Sequence, residues 1–118
     1  MENLKKKMAF NFHDAVIISS DFHGNNWTIK LRLCEILYPG KKDLKLIFKN
    51  IHRTEKALNL HHEMVADELE PGWNGTRIND LDFDSKKILQ ETSQHYYMNA
   101  DGYKPVSISC TDLEIKAI

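Results

Sequence analysis

Cysteine, proline and glycine are scarce in this chain, with two, three and five residues respectively among 118. Cys34 and Cys110 lie far apart, each in a β-like stretch beside apolar neighbours, and neither belongs to a Cys-x-x-Cys pair. That excludes a zinc ribbon or dithiol motif and leaves two reduced thiols, partly or wholly buried, as the expectation. No low-complexity tract, internal repeat or interdomain linker interrupts residues 1–118, a length suited to one globular domain with one core. No apolar run approaches the roughly 18 residues of a membrane-spanning helix. The opening Met1-Glu2-Asn3-Leu4-Lys5-Lys6-Lys7 has the basic character of a signal peptide, but polar residues interrupt the following segment before an apolar stretch forms. A cytoplasmic protein is therefore expected, which removes the chemical context for the glycosylation sequon at Asn74-Gly75-Thr76. Excess charge of one sign is absent too: the formal net charge is −1, so the whole molecule has no electrostatic pull toward nucleic acid or an anionic membrane. No Gly-x-Ser-x-Gly elbow, phosphate loop or dinucleotide fingerprint occurs, so the local signatures of hydrolases, nucleotide enzymes and dehydrogenases are missing. No enzymatic activity and no cofactor are expected.

What is present is β texture. Trp27, Ile29, Leu31 and Leu33 alternate with Thr28, Lys30 and Arg32, the period of a strand with one buried and one wet face. Ala15 to Phe22 is rich in β-branched residues, and His23-Gly24-Asn25-Asn26 supplies the turn of a hairpin. Pro39-Gly40 signals a second turn, after which Leu44, Leu46 and Phe48 alternate through to about Ile51 and complete a three-strand meander. Between about Glu55 and Leu69 the spacing of Leu58, His62, Val65 and Leu69 predicts a helix with Thr54 as N-cap, ended by Pro71-Gly72. The front of that segment also alternates, so it can instead extend the preceding strand. Strand texture returns at Thr76 to Ile78, Leu81 to Phe83, Tyr96 to Met98, Val106 to Cys110 and Leu113 to Ala117, with Asn99 to Gly102 as a turn and Thr111-Asp112 as a bulge or turn. Ser85 to Gln94 is ambiguous. The predicted fold is α+β, mainly antiparallel β: a meander of about five to seven strands with one helix packed on the sheet. Trp27, Ile29, Leu31, Leu33, Leu46, Phe48, Ile108 and Ile115 are its expected core.

Three local groupings invite a chemical reading. His61-His62-Glu63 approximates a helical zinc motif, but Ala66 stands where the second histidine is required. Asp80, Asp82, Asp84 and Glu91 approximate a calcium loop, but Ser85 replaces the central glycine and Lys87 the apolar anchor. No metal is expected at either. His13-Asp14 resembles a base with its orienting carboxylate, yet strand neighbours point to opposite faces, so a structural cap at the start of the sheet is the expectation.

Charge is distributed unevenly. Lys41, Lys42, Lys45, Lys49, Arg53 and Lys56 form a basic stretch that suits a solvated or edge-protecting face, or contact with phosphate. From Glu63 to Asp84 the chain carries Asp67, Glu68, Glu70, Asp80, Asp82 and Asp84 against the single Arg77, and includes Trp73. Such a surface is either ordinarily solvated or suited to capturing a basic protein, since carboxylates steer encounter and an aromatic supplies an anchor.

The opening Phe12-His13-Asp14-Ala15-Val16-Ile17, the strand from Trp27 to Leu33, Leu46 to Ile51, and the closing Ile108-Ser109-Cys110 to Leu113-Glu114-Ile115 together resemble a group of small bacterial proteins with a His-Asp-Ala or His-Asp-Ser signature before the first strand. Many of these are immunity proteins of polymorphic or contact-dependent growth inhibition toxin systems. The resemblance implies a cytoplasmic toxin inhibitor that works by protein–protein interaction, and it assigns no contact residues. Joined to the charge pattern, it predicts a basic toxin as partner, a nuclease, met by Asp67, Glu68, Glu70, Trp73, Asp80, Asp82 and Asp84. Nucleic acid and membrane are not the expected partners. The alternative is a small regulatory or nucleic-acid-binding module that uses Lys41, Lys42, Lys45 and Lys49.

Overall fold

The computed structural model describes residues 10–40, 42–68, 76–83 and 94–118, with the backbone alone at Glu68, Asp82 and Phe83. Seven strands and one helix follow in the order β1 (Val16–His23), β2 (Asn26–Arg32), β3 (Asp43–Lys49), α1 (Glu55–Glu68), β4 (Thr76–Phe83), β5 (Gln94–Ala100), β6 (Val106–Cys110) and β7 (Asp112–Ala117). All pairings are antiparallel, and the strand order is β6-β5-β4-β1-β2-β3-β7. Two meanders, β1-β2-β3 and β4-β5-β6, are thus joined where β1 meets β4. β6 and β7 stand at opposite ends of this order, yet Thr111 alone separates them in the chain. The sheet must therefore curl until its two edges approach one another. Thr111 N–H donates to Lys49 O at 2.9 Å and His52 N–H to Ser109 O at 2.8 Å, which ties the end of β3 to the β6–β7 junction.

The alternation of β2 and β3 accounts for the core directly. Trp27, Ile29 and Leu31 are fully buried on one face, with Leu44, Leu46 and Phe48 beside them. Burying each such large side chain contributes roughly 1.5–3 kcal/mol. Leu33 and Ile108 are buried as expected, whereas Ile115 is only partly buried, and Leu113 fills the fully buried position on β7. Aromatic packing runs through this layer from Trp27 to Phe48 and on to Tyr96, with ring centroids 5.8 Å apart at each step. The thiol of Cys110 is buried and that of Cys34 half-buried, neither in a disulfide.

Turn chemistry sets the first register. His23 pairs with Asn26, and Gly24 between them has φ +61° while Asn25 stays at negative φ. Positive φ at the first central position is the signature of a type II′ turn, whose twist matches that of the flanking strands.

Thr54 O accepts the first helical bond from Leu58 N–H at 2.7 Å, as an N-cap residue should, and the segment from Glu55 is helix from its start. The buried line runs through Ala57, Leu60 and Met64, one or two residues before the series Leu58, His62, Val65 that the spacing suggests; His62 is exposed. The helix packs against β1 and β6. Leu69, Pro71 and Gly72, at the expected helix end, lie outside the described residues, as does the ambiguous segment 85–93.

Candidate functional site

The signature His13-Asp14-Ala15 forms a turn that fastens the entry of β1 to β4. Asp14 N–H donates to Ile78 O and Ile78 N–H to Ala15 O, both at 2.8 Å, and Ala15 is fully buried. Asp14 has φ +62°, the left-handed region that Asp tolerates better than most residues. The sequence-based argument that His13 and Asp14 point apart is corrected here. They stand in a turn rather than a strand, and His13 Nε2 lies 3.7 Å from Asp14 Oδ2. His13 Nδ1 is 2.9 Å from Asn79 O; a carbonyl only accepts, so Nδ1 carries the proton. This bond, then Asp14 and more weakly Asp80, raise the His13 pKa above its usual value, while slight burial opposes them. Both side chains are largely exposed, and the turn acts as a structural cap.

Two bulges flank this seam. Ile18 drops out of the β1–β2 register and Asn79 out of the β4–β5 register. The first bulge places Ser20, not Ser19, opposite Ile29 on the inward face. There Ser20 Oγ accepts a bond from Trp27 Nε1–H at 2.8 Å and is hydrogen-bonded to His61 Nδ1 at 2.7 Å, linking β1, β2 and the helix. His61 also packs against Phe22 and His62, with centroids 5.8 and 5.4 Å away. Among the described residues, no three His, Cys, Asp or Glu side chains gather as a metal site would require.

The acidic segment divides between two faces. Asp67, exposed near the end of α1, accepts a hydrogen bond from Tyr103 Oη in the β5–β6 connection. Burial, then this carboxylate and nearby Glu63, raise the Tyr103 pKa, against a lowering bond from Thr76. Asp80 is exposed on β4, flanked by the Asn79 bulge and buried Leu81, and its charge acts on His13. The inward face of β4 carries Leu81, so Asp80 points away from the side where the helix packs. Glu68 and Asp82 are placed by backbone only, as the last residue of α1 and within β4. Glu70, Trp73 and Asp84 lie outside the described residues, with Asn74, Gly75, Ser85, Lys87 and Glu91. Tyr103 was not visible as a site residue from sequence, because no local spacing links it to Asp67, 36 positions earlier.

A groove of about 340 Å³ lies between the helix and the β5–β6 connection, lined by Lys56, Leu60, Glu63, Lys104 and Val106. On the other side of the sheet, the basic stretch is dispersed. Lys42 Nζ sits 5.0 Å from the centroid of Phe10, Lys49 pairs with Glu114, and Lys41 lies outside the described residues. Lys45 is exposed on the outward face of β3. Comparison with protein-family models, curated proteins and solved structures returned no match to this chain.

Proposed function

We propose that this chain is a non-catalytic binding protein of the immunity type, which occupies and neutralises a basic toxin, a nuclease, in the cytoplasm. The observation that carries this reading is the end of α1. The helix closes on Asp67 and Glu68 with no basic residue in its last turn. Carboxylates there oppose the helix macrodipole, at a cost of about 0.3–1 kcal/mol each at low ionic strength. A cationic partner surface docked at that end reverses the sign of the interaction. The chain then continues through Glu70 to Trp73, an aromatic of the kind that anchors interfaces, and Tyr103 stands beside Asp67 as a second one. The resemblance to immunity proteins supports the same reading. His13, Asp14 and Ala15, which carry its signature, serve here as a fastening of the sheet and leave binding to other surfaces.

The test is co-expression with the product of the neighbouring gene. Relief of growth arrest, together with a stable complex, is the expected result. Trp73→Ala, or charge reversal at Asp67, Glu68 and Glu70, should weaken that complex by roughly thirtyfold or more while the fold persists. Association should slow as salt rises. Unchanged affinity in the charge-reversed chain would overturn the assignment of the site, and a toxin that still arrests growth would overturn the function.

A further inference from the structure

The register places three lysines side by side across three strands. Lys30 of β2 pairs with Lys45 of β3, and Lys45 pairs with Lys116 of β7. Inward-pointing neighbours of these residues are buried, so the lysines stand on the outward face, opposite the side on which the helix packs. Like charges directly opposite on adjacent strands are destabilising. Four carboxylates, Asp21, Asp43, Asp112 and Glu114, share this face, and of the row itself Lys116 is ion-paired. Glu114 is shared between Lys49 and Lys116, the latter at 3.0 Å, and Asp43 is held by the Arg32 guanidinium through bonds of 2.7 and 3.1 Å. Lys30 and Lys45 have no ion-pair partner among the described residues.

We propose that the row Lys30–Lys45–Lys116 is a sequence-independent contact for the phosphodiester backbone of duplex nucleic acid. With strands about 4.8 Å apart, the row extends roughly 10 Å, a length over which a duplex presents about six charges. Lysine meets phosphate as a point charge, whereas the planar fork of Arg32, which would suit a carboxylate, is already occupied by Asp43. The aromatic residues of β2 and β3, Trp27 and Phe48, are buried, and β7 has none. The face therefore lacks both the stacking platform that single strands use and the aromatic anchor typical of protein interfaces. A duplex needs neither, since its bases are already stacked and its charge lies outside. Lys30 and Lys116 were not part of the basic stretch that the sequence singles out; pairing register alone brings them to Lys45. This contact is independent of the toxin-binding reading and lies on a different face from Asp67.

The test is fluorescence anisotropy of the full chain with a labelled 20-base-pair duplex of random sequence. Three phosphate contacts give a slope of about −2.7 in log affinity against log salt, so binding should weaken about 40-fold between 50 and 200 mM salt. Lys30→Gln, Lys45→Gln and Lys116→Gln together should reduce affinity at least tenfold at 50 mM and flatten the slope, with the circular dichroism spectrum unchanged. Lys42→Gln, whose ammonium sits over Phe10, should bind as the parent does. If the triple variant loses its fold, Lys45→Gln alone should still reduce affinity and flatten the slope by about one. Absence of duplex binding at 50 mM, equal binding by a folded triple variant or by Lys45→Gln, or equally effective competition by polyglutamate of matched charge overturns the proposal, the last pointing to an acidic protein surface instead.

Discussion

The β1-β2-β3-β7 half of the sheet and the β4-β5-β6 half use strands of similar length but are held in different ways. β2 and β3 are paired on both sides along nearly their whole length, and their inward residues form an unbroken apolar layer. Among the described residues, β4 meets β1 at Thr76 and Arg77, then bulges at Asn79 before continuing against β5. Strand pairing and apolar alternation reinforce each other in the first half. In the second, the seam depends on a turn of specific conformation, the His13–Asp14–Ala15 fastening. Of the carboxylates proposed for binding, Asp67 and Glu68 stand at the end of the helix and Asp80 and Asp82 on β4.

The comparison breaks most severely if the first half loses its largest side chain. Trp27 has no exposed surface and packs on Phe22 and Phe48. Trp27→Ala should cost about 3–5 kcal/mol, measured by urea denaturation. Tyr97→Ala on β5, where the ring is 37 % exposed, should cost well under half of that. Equal losses would contradict the outward placement of Tyr97.

This contrast also decided what could be read from sequence. Trp27, Ile29, Leu31, Leu44, Leu46 and Phe48 announce their strands because an uninterrupted period of two is the direct imprint of a half-buried sheet. The helix, the two-residue turn at Gly24 and the break at Thr111 were legible for similar local reasons. β1 and β4 were less so, since one extra residue at Ile18 and another at Asn79 shift the phase in mid-strand. The meeting of β1 with β4 leaves no local trace. For the candidate site, the acidic composition was visible, but its division between Asp67 near Tyr103 and Asp80 near His13 was not. The lysine row was hidden for the same reason, because periodicity identifies faces and says nothing of which residues stand abreast.

A smaller effect is expected where the helix is tied to the first half. Ser20→Ala removes the acceptor for Trp27 Nε1–H and the hydrogen-bond partner of His61 Nδ1. Leaving the buried indole N–H unpaired should cost about 1–3 kcal/mol, with Ser20→Thr retaining part of it if the added methyl fits. Because the bulge at Ile18 is what points Ser20 inward, Ser19→Ala, on the outward face, should change stability by less than about 0.5 kcal/mol. Similar losses at Ser19 and Ser20 would contradict the assigned faces. At the hairpin, nothing crowds a Cβ on Gly24, so Gly24→Ala tests backbone conformation alone; at φ +61° it should cost about 1 kcal/mol.

The least expected effect lies at the seam, and it concerns pH. The folded His13 pKa is raised, chiefly by the bond from Nδ1–H to Asn79 O and next by the Asp14 carboxylate. A group whose folded pKa exceeds its unfolded value adds stability that is fully present below the unfolded pKa, near 6.5, and is lost as pH rises through the folded pKa. The seam should therefore hold slightly better in mildly acidic solution than above neutrality. Its exposure to solvent keeps the gain small. Histidine NMR titration should place the His13 midpoint above 6.5, Asp14→Asn should lower that midpoint without abolishing the bond to Asn79, and salt should reduce the difference between the two chains. A His13 midpoint at or below 6.5 would show that the ring does not hold this position in solution and that Asp14, Ala15 and the backbone bonds to Ile78 secure the seam alone.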